Sequence, residues 1–145
     1  MGFSVSGSAA ILFIAAFVSV GILYSAAFNG YERVQDAEEV QDDRVLEAKN
    51  TAIEISNVTY DSTEENMTVN VTNNGSTALS INETDLISNG SYVTRDAYVS
   101  TSVDSNTETD LWLPGETYSL TVTQSPKPDR VKIVTENGVA ATEVV

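Results

Sequence analysis

Two hydrophobic periodicities divide this chain. From Ala9 to Phe28 the sequence AAILFIAAFVSVGILYSAAF runs for 20 residues without a charge, relieved only by Ser19, Gly21 and Ser25. Wound as a helix it measures about 30 Å, the thickness of a hydrocarbon core. From residue 52 the apolar positions alternate with polar ones, the signature of strands with one buried face. Ile53 and Ile55 begin the pattern, followed by Met67, Val69 and Val71, then Leu79 and Ile81, then Leu86-Ile87. Tyr98-Val99, Leu111-Trp112-Leu113, Tyr118/Leu120/Val122, Val131/Ile133/Val134 and Val139 to Val145 complete it. Turn signals separate these runs at Asn74-Gly75, Asn89-Gly90, Pro114-Gly115, Pro126-Lys127-Pro128 and Asn137-Gly138.

Seven or eight short strands with no amphipathic helix between them predict an antiparallel β-sandwich of immunoglobulin-like type. Trp112 and the tyrosines at 92, 98 and 118 fall where core or rim packing is the simplest role. The expected organisation is a short flank over 1–8, a transmembrane helix over 9–29, an acidic helical stalk over 30–51 and the β-sandwich over 52–145.

The stalk, YERVQDAEEVQDDRVLEAKN after Gly30, sets Val34, Ala37, Val45, Ala48 and Ala52 on one helical stripe. Its spacing follows an eleven-residue repeat (34 to 45, 37 to 48) more closely than heptads. The stripe has two readings: a narrow apolar face laid on the chain's own domain, or a seam for a dimer. The polar face repels itself, because Glu32/Asp36, Glu39/Asp43 and Asp43/Glu47 are like charges four residues apart.

Charge refines the picture. The chain has 145 residues, 21 Asp+Glu against 7 Lys+Arg and a formal charge of −14, and the first charged side chain is Glu32. Only three lysines occur, at 49, 127 and 132. Acid-rich, lysine-poor composition suits concentrated salt, where the screening length falls to a few Å and the stalk's repulsion fades. We expect a halophilic source. So acidic a surface repels phosphate backbones, which argues against nucleic acid. With no His and no Cys there are no disulfides, no thiolate or imidazole zinc site and no Ser-His-Asp or Cys-His relay.

The leading segment reads as a retained anchor more readily than as a cleaved signal peptide, which wants a basic n-region and a shorter apolar run. Here no Lys or Arg precedes the run, although Ser25-Ala26-Ala27 would permit cleavage. Counting basic residues (Arg33, Arg44, Lys49) would place the C-terminal flank inside. That flank is also strongly acidic and leads into a domain of exterior character, so the sandwich is expected outside the cell on a single-pass anchor.

The strongest chemical signal is a cluster of six N-x-S/T sequons, at Asn57, Asn66, Asn70, Asn74, Asn82 and Asn89, more than random placement of these residue types predicts. Asn66 and Asn70 have the parity opposite to Met67, Val69 and Val71, and Asn82 is opposite to Leu79 and Ile81, so these point outward. Asn74 and Asn89 precede turn glycines, whereas Asn57 shares the parity of Ile53 and Ile55. The plain reading is that Asn and Thr suit turns and strand faces; with an anchor upstream, glycan acceptors are the expectation.

Other motifs carry less. DSNTETD alternates Asp104, Asn106, Glu108 and Asp110, an echo of a calcium loop, but Thr109 stands where such a loop needs glycine and Gly115 where it needs glutamate. A weak cation site would require these residues to share one strand face; a solvated acidic loop is the default. Glu64-Glu65 could do acid–base work only in a cleft. No catalytic set, cofactor site or metal site is expected.

With MGFSVSGSAAILFIAAFVSVGILYSAAFNG, an acidic neck and a lone sandwich in hand, the chain resembles the F-type accessory (stator) proteins of the archaellum in halophilic archaea. The likeness in kind spans the chain and is most specific over residues 2–30. It implies a membrane-embedded motor component whose sandwich binds the S-layer glycoprotein lattice, forms homodimers and meets a G-type accessory partner. The nearest rivals, archaellins and pilins, also join an apolar helix to a β domain. A prepilin leader carries a basic residue before its Gly, where this chain has Met1, and its mature helix carries a Glu at the fifth place, which here would be Gly7. A minor filament subunit and a glycosylated extracellular binding module are the alternatives.

Overall fold

The computed structural model describes residues 2–145, with side chains from Ser6 onward. Met1, the first residue of the expected flank, lies outside the described residues. The chain divides into two compact units, Met1–Asp43 and Arg44–Val145.

Residues 2–43 of the first unit belong to helix α1, which runs Gly2–Asn50. Asn29-Gly30 does not interrupt it, and glycine in a helix costs only about 1 kcal/mol relative to alanine. The span's two serine hydroxyls are satisfied within the helix, Ser19 Oγ donating to the Ala15 carbonyl (2.7 Å) and Ser25 Oγ to that of Gly21 (3.1 Å). A polar group in lipid needs such an internal partner. Large apolar side chains are exposed along the run, Phe17 at 77% and Tyr24 at 70%, and among the described residues this is the one helix long and apolar enough to cross a membrane.

The second unit contains the helix's last turns and the β domain. Ten strands follow: β1 Ile53–Asp61, β2 Asn66–Asn73, β3 Leu79–Ser80, β4 Asp85–Ser88, β5 Ser91–Tyr92, β6 Tyr98–Val103, β7 Leu111–Trp112, β8 Thr117–Thr123, β9 Arg130–Val134 and β10 Ala140–Val144. They form two four-stranded sheets, β1-β2-β8-β6 and β10-β9-β4-β5, and a two-stranded β3-β7 ribbon, with every pairing antiparallel. Met67, Val69, Val71, Tyr118, Leu120 and Val122 of the first sheet share one core with Leu86, Val131 and Ile133 of the second and with Trp112. The expected helix-plus-sandwich architecture is therefore present. Trp112 and Tyr118 are fully buried with their rings 5.6 Å apart, and Trp112 Nε1 donates to the Glu116 carbonyl (2.9 Å). Burial pushes the Tyr118 hydroxyl well above the usual phenol range.

Two expectations need correction. Ala52 is not on the helical stripe. The helix ends at Asn50, and the Ala52 carbonyl accepts the N–H groups of Asn74 (2.8 Å) and Gly75 (2.9 Å), which turns the chain toward β1. Nor does Asn57 share the inward side of Ile55. The β1–β2 register slips between Ile55↔Val71 and Asn57↔Asn70, leaving Ser56 as the extra residue of a bulge. A bulge reverses parity beyond it, so Val58 and Tyr60 pack on the core and Asn57 is exposed.

The helix C-terminus is fastened within the second unit. Four carbonyls at a helix end lack intrahelical partners. Here Ser76 N–H donates to the Asn50 carbonyl (2.8 Å), and Thr51 Oγ (2.8 Å) and Thr77 Oγ (3.5 Å) both reach the Glu47 carbonyl. Asn137 Nδ2 donates in turn to the Thr51 hydroxyl (3.0 Å). The loop supplying these donors is shaped by Asn73, fully buried, whose amide bonds the Thr77 carbonyl (2.9 Å), the Trp112 carbonyl (3.3 Å) and the Gly75 N–H (3.1 Å).

Candidate functional site

The sequons do not converge on one point; they distribute by element. Asn57, Asn66 and Asn70 lie on the outer face of β1-β2-β8-β6, because inward Met67, Val69 and Val71 fix the opposite parity. That face is a field of hydroxyls and amides. Thr68 Oγ meets Thr121 Oγ at 2.9 Å, Thr72 Oγ meets Thr117 Oγ at 3.4 Å, and Thr123 Oγ donates to Asn66 Oδ1 at 3.2 Å. Asn57 stands directly opposite Asn70 in the register, where Cβ atoms are only about 4.5–5.5 Å apart.

The other three occupy loops. Asn74 is exposed, its Nδ2 donating to Glu54 Oε2 (2.8 Å). Asn82 is exposed in a loop that Arg95 fastens by donating to the carbonyls of Ile81, Asn82 and Thr84 (3.1, 2.7 and 2.8 Å). Its partner hydroxyl, Thr84, is buried and bonded to the Ser80 carbonyl (2.8 Å), so an enzyme could read that sequon only before the domain folds. Asn89 begins the β4–β5 turn at φ 48° with Gly90 at 86°, and its Oδ1 accepts from the N–H groups of Asp129 (3.0 Å) and Arg130 (3.2 Å).

Of the remaining stripe residues, Val34, Ala37 and Val45 are exposed and Ala48 is half-buried. Val45 and Ala48 belong to the second unit, and at 45% exposure Val45 is not covered by the domain.

The DSNTETD segment is a turn and not a strand, with φ positive at Asp104 and Ser105, so its acids do not share one face. Asp104 Oδ1 accepts Thr117 N–H (3.0 Å), Asn106 Oδ1 accepts Glu108 N–H (3.0 Å), and Asp110 Oδ1 accepts Ser80 Oγ (2.9 Å) and Asn82 N–H (2.9 Å). These groups hold neighbouring loops, and no set of three acids among the described residues is placed to hold a metal. Glu65, in the β1–β2 turn, likewise accepts from Ser125 Oγ (2.8 Å) in the β8–β9 loop.

One cluster escaped the sequence reading. Glu47, Glu83 and Glu136 border a cleft of about 460 Å³ together with Arg44, Thr77, Ala78 and Asn137. Burial raises the Glu136 carboxyl above its ordinary value, and hydrogen bonding with Glu83, the Glu83 charge and the Glu47 charge add to it. Positions 47, 83 and 136 lie in three separate segments, so only the fold reveals the group.

A helix with the length and composition of a single membrane span, continuous with the terminal turns of an all-β sandwich unit, defines a class: anchored β-sandwich proteins. The chain belongs to the archaeal-type flagellin family, whose model matches residues 2–144. This agrees with the archaellum resemblance read from the sequence. Among solved structures the chain is similar to the archaellum periplasmic stator protein FlaG from Sulfolobus acidocaldarius, at 18% identity over 66% of this chain and 99% of that chain, with TM-score 0.48. It is also similar to a chain of the archaellum periplasmic stator protein complex FlaF and FlaG from the same organism, at 18% identity, 64% and 87% coverage and TM-score 0.46. No curated protein matches the chain significantly.

Proposed function

We propose that this chain is a membrane-anchored accessory component of the archaellum, a stator and not a catalyst. Its sandwich stands outside the cell, grips the S-layer glycoprotein lattice and holds the motor against rotation. The observation that carries the reading is the charge-free run ahead of Glu32, in a chain of a family whose members build the archaellum. An apolar span with no acid before Glu32 suits retention in lipid. It offers nothing to neutralise a neighbour's amine in a helical filament. Reaction torque would leave the sandwich through the fastening at Asn50, Thr51 and Ser76. A homodimer through the exposed stalk stripe and a G-type accessory partner belong to the same reading. Glycans on the sequons and an acid-rich surface would suit a domain bathed in brine.

The test is a deletion strain. Filaments that assemble but fail to rotate are expected; normal filaments with normal swimming would remove the proposal. The family's own description favours a second reading, a minor filament subunit of archaellin type, and that reading predicts a change in filament assembly or composition on deletion.

A further inference from the structure

The outer face of the second sheet carries two cations on β9 against one acid on β4, Asp85, which pairs with Arg95 (3.9 Å). On β9, Arg130 and Lys132 are two residues apart with Val131 buried between them, so both cationic side chains point outward on the same side. The register places Ile87 and Thr142 beside Lys132, Tyr92 beyond Ile87, and Val144 beside Arg130. Tyr92 is 55% exposed and Val144 75%. A depression of about 240 Å³ opens among Ile87, Gly90, Arg130, Lys132 and Thr142. Neither cation has an ion-pair partner; the ion pair found among the described residues joins Arg95 to Asp85.

The contrast with the opposite face is chemical. The outer side of β1-β2-β8-β6 carries three sequons and a hydroxyl ladder, a surface suited to sugar and water. The outer side of β9 and β10 carries none. Asn89, at the rim, has its carbonyl turned back onto the Asp129 and Arg130 backbone. An apolar row next to two unpaired cations has the make-up of a protein interface, where aromatic and Arg contacts carry most of the energy. With a formal charge of −14 on the chain, this patch is where a carboxylate-bearing partner meets attraction.

We infer that the face formed by Tyr92, Ile87, Lys132, Arg130, Thr142 and Val144 docks an acidic extracellular protein, a carboxylate of which enters the depression between Arg130 and Lys132. The inference rests on the proposed function only in needing an exterior partner; the partner's identity as the S-layer lattice is tested apart from it.

The experiment places a photo-crosslinking amino acid at Thr142 of the full chain in living cells, with Ser100 on the opposite sheet as control. Adducts are identified by mass spectrometry. Thr142 is expected to capture an acidic extracellular protein and Ser100 to capture none. In the Arg130→Glu/Lys132→Glu background the yield should fall about tenfold or more, and the Arg130→Gln/Lys132→Gln background should fall between. Thermal unfolding of each variant confirms that these exposed changes leave the fold intact. No adduct at Thr142, an adduct with lipid only or with a second copy of the chain, capture from Ser100 instead, or a yield indifferent to charge would each overturn the inference. Co-sedimentation of the full chain with isolated lattice sheets reports separately on the proposed function. Lattice binding that survives charge reversal keeps that function and removes this face. A Thr142 adduct with a different acidic protein keeps the face and removes the lattice.

Discussion

Replacing Gly75 by alanine strikes the point where the helix is fastened to the sandwich. An ideal Cβ at this position falls 2.5 Å from the Asn50 carbonyl oxygen and 2.6 Å from the Ala52 nitrogen, with Thr51 carbon at 3.1 Å. All three are backbone atoms, so no rotamer can relieve the clash, and the 73–77 loop must withdraw. Withdrawal loosens the bonds Asn74 N–H and Gly75 N–H to Ala52, Ser76 N–H to Asn50 and Gly75 N–H to Asn73 Oδ1. At about 0.5–1.5 kcal/mol each, with some re-formed to water, the loss comes to about 2–4 kcal/mol. For a domain of about 100 residues that lowers Tm by about 10–20 °C. The assay is thermal unfolding of the full chain in detergent, followed by β-sheet circular dichroism, with limited proteolysis reporting on residues 50–52. Gly30→Ala is the control. It meets nothing within 4 Å, so it should be neutral or slightly stabilising. A Gly75→Ala chain that melts within about 2 °C of wild type would refute the reasoning, since that shift is worth less than one hydrogen bond.

Further outcomes follow from the same geometry. Asn57 and Asn70 face each other too closely for two bulky glycans, so each polypeptide should carry sugar at one of them and not both. No Lys or Arg falls between 50 and 94, so trypsin leaves all six sequons on one peptide, and scission at Met67 then separates Asn70 from Asn57; site occupancies of Asn57 and Asn70 that sum to well above one would contradict the crowding. Glu136→Gln should stabilise the domain at neutral pH. The wild-type carboxyl titrates above 4.5 in the folded state, so its contribution is favourable below 4.5 and is lost as pH rises through the raised value. The variant's advantage should therefore shrink to nothing in melts taken below pH 4.5, and an advantage independent of pH would contradict the assignment. Trp112→Ala empties a fully buried site and removes one of the two hydrogen bonds to the Glu116 carbonyl, which keeps the Asn73 N–H; it should cost about 3–5 kcal/mol, and a loss under about 1 kcal/mol would deny Trp112 its central place.

Local pattern carried much of the architecture. An uncharged run of 20 residues needs no tertiary information to be read as a span, and the alternation of Met67, Val69 and Val71 or of Tyr118, Leu120 and Val122 is fixed by the strand period alone. What escaped depends on partners distant in sequence. The bulge at Ser56 is invisible until β2 supplies the register, and it moves Asn57 from the core side to the surface. Asn74-Gly75 reads as an ordinary turn signal, yet Gly75 is needed for the approach of Asn50 and Ala52, more than 20 residues earlier. Ser91-Tyr92, two residues long, pairs as β5 only because β4 is there to receive it. Glu136 and Glu83 become neighbours, and Arg130 and Lys132 become a bare patch beside Tyr92, only once the sheets are assembled. The sequons were legible as a motif, and parity and the turn glycines placed Asn66, Asn70, Asn74 and Asn89; the bulge that turns Asn57 outward and the loop that carries Asn82 were not legible.

The stator reading and the filament reading part most directly on where the chain resides. Archaella sheared from cells and washed free of membrane can be compared with the remaining envelopes by quantitative mass spectrometry of tryptic peptides from the sandwich. A fixed component predicts that the chain stays with the envelopes and that filament fractions contain none above background. Recovery in sheared filaments, in constant proportion to the major subunit, would contradict the account.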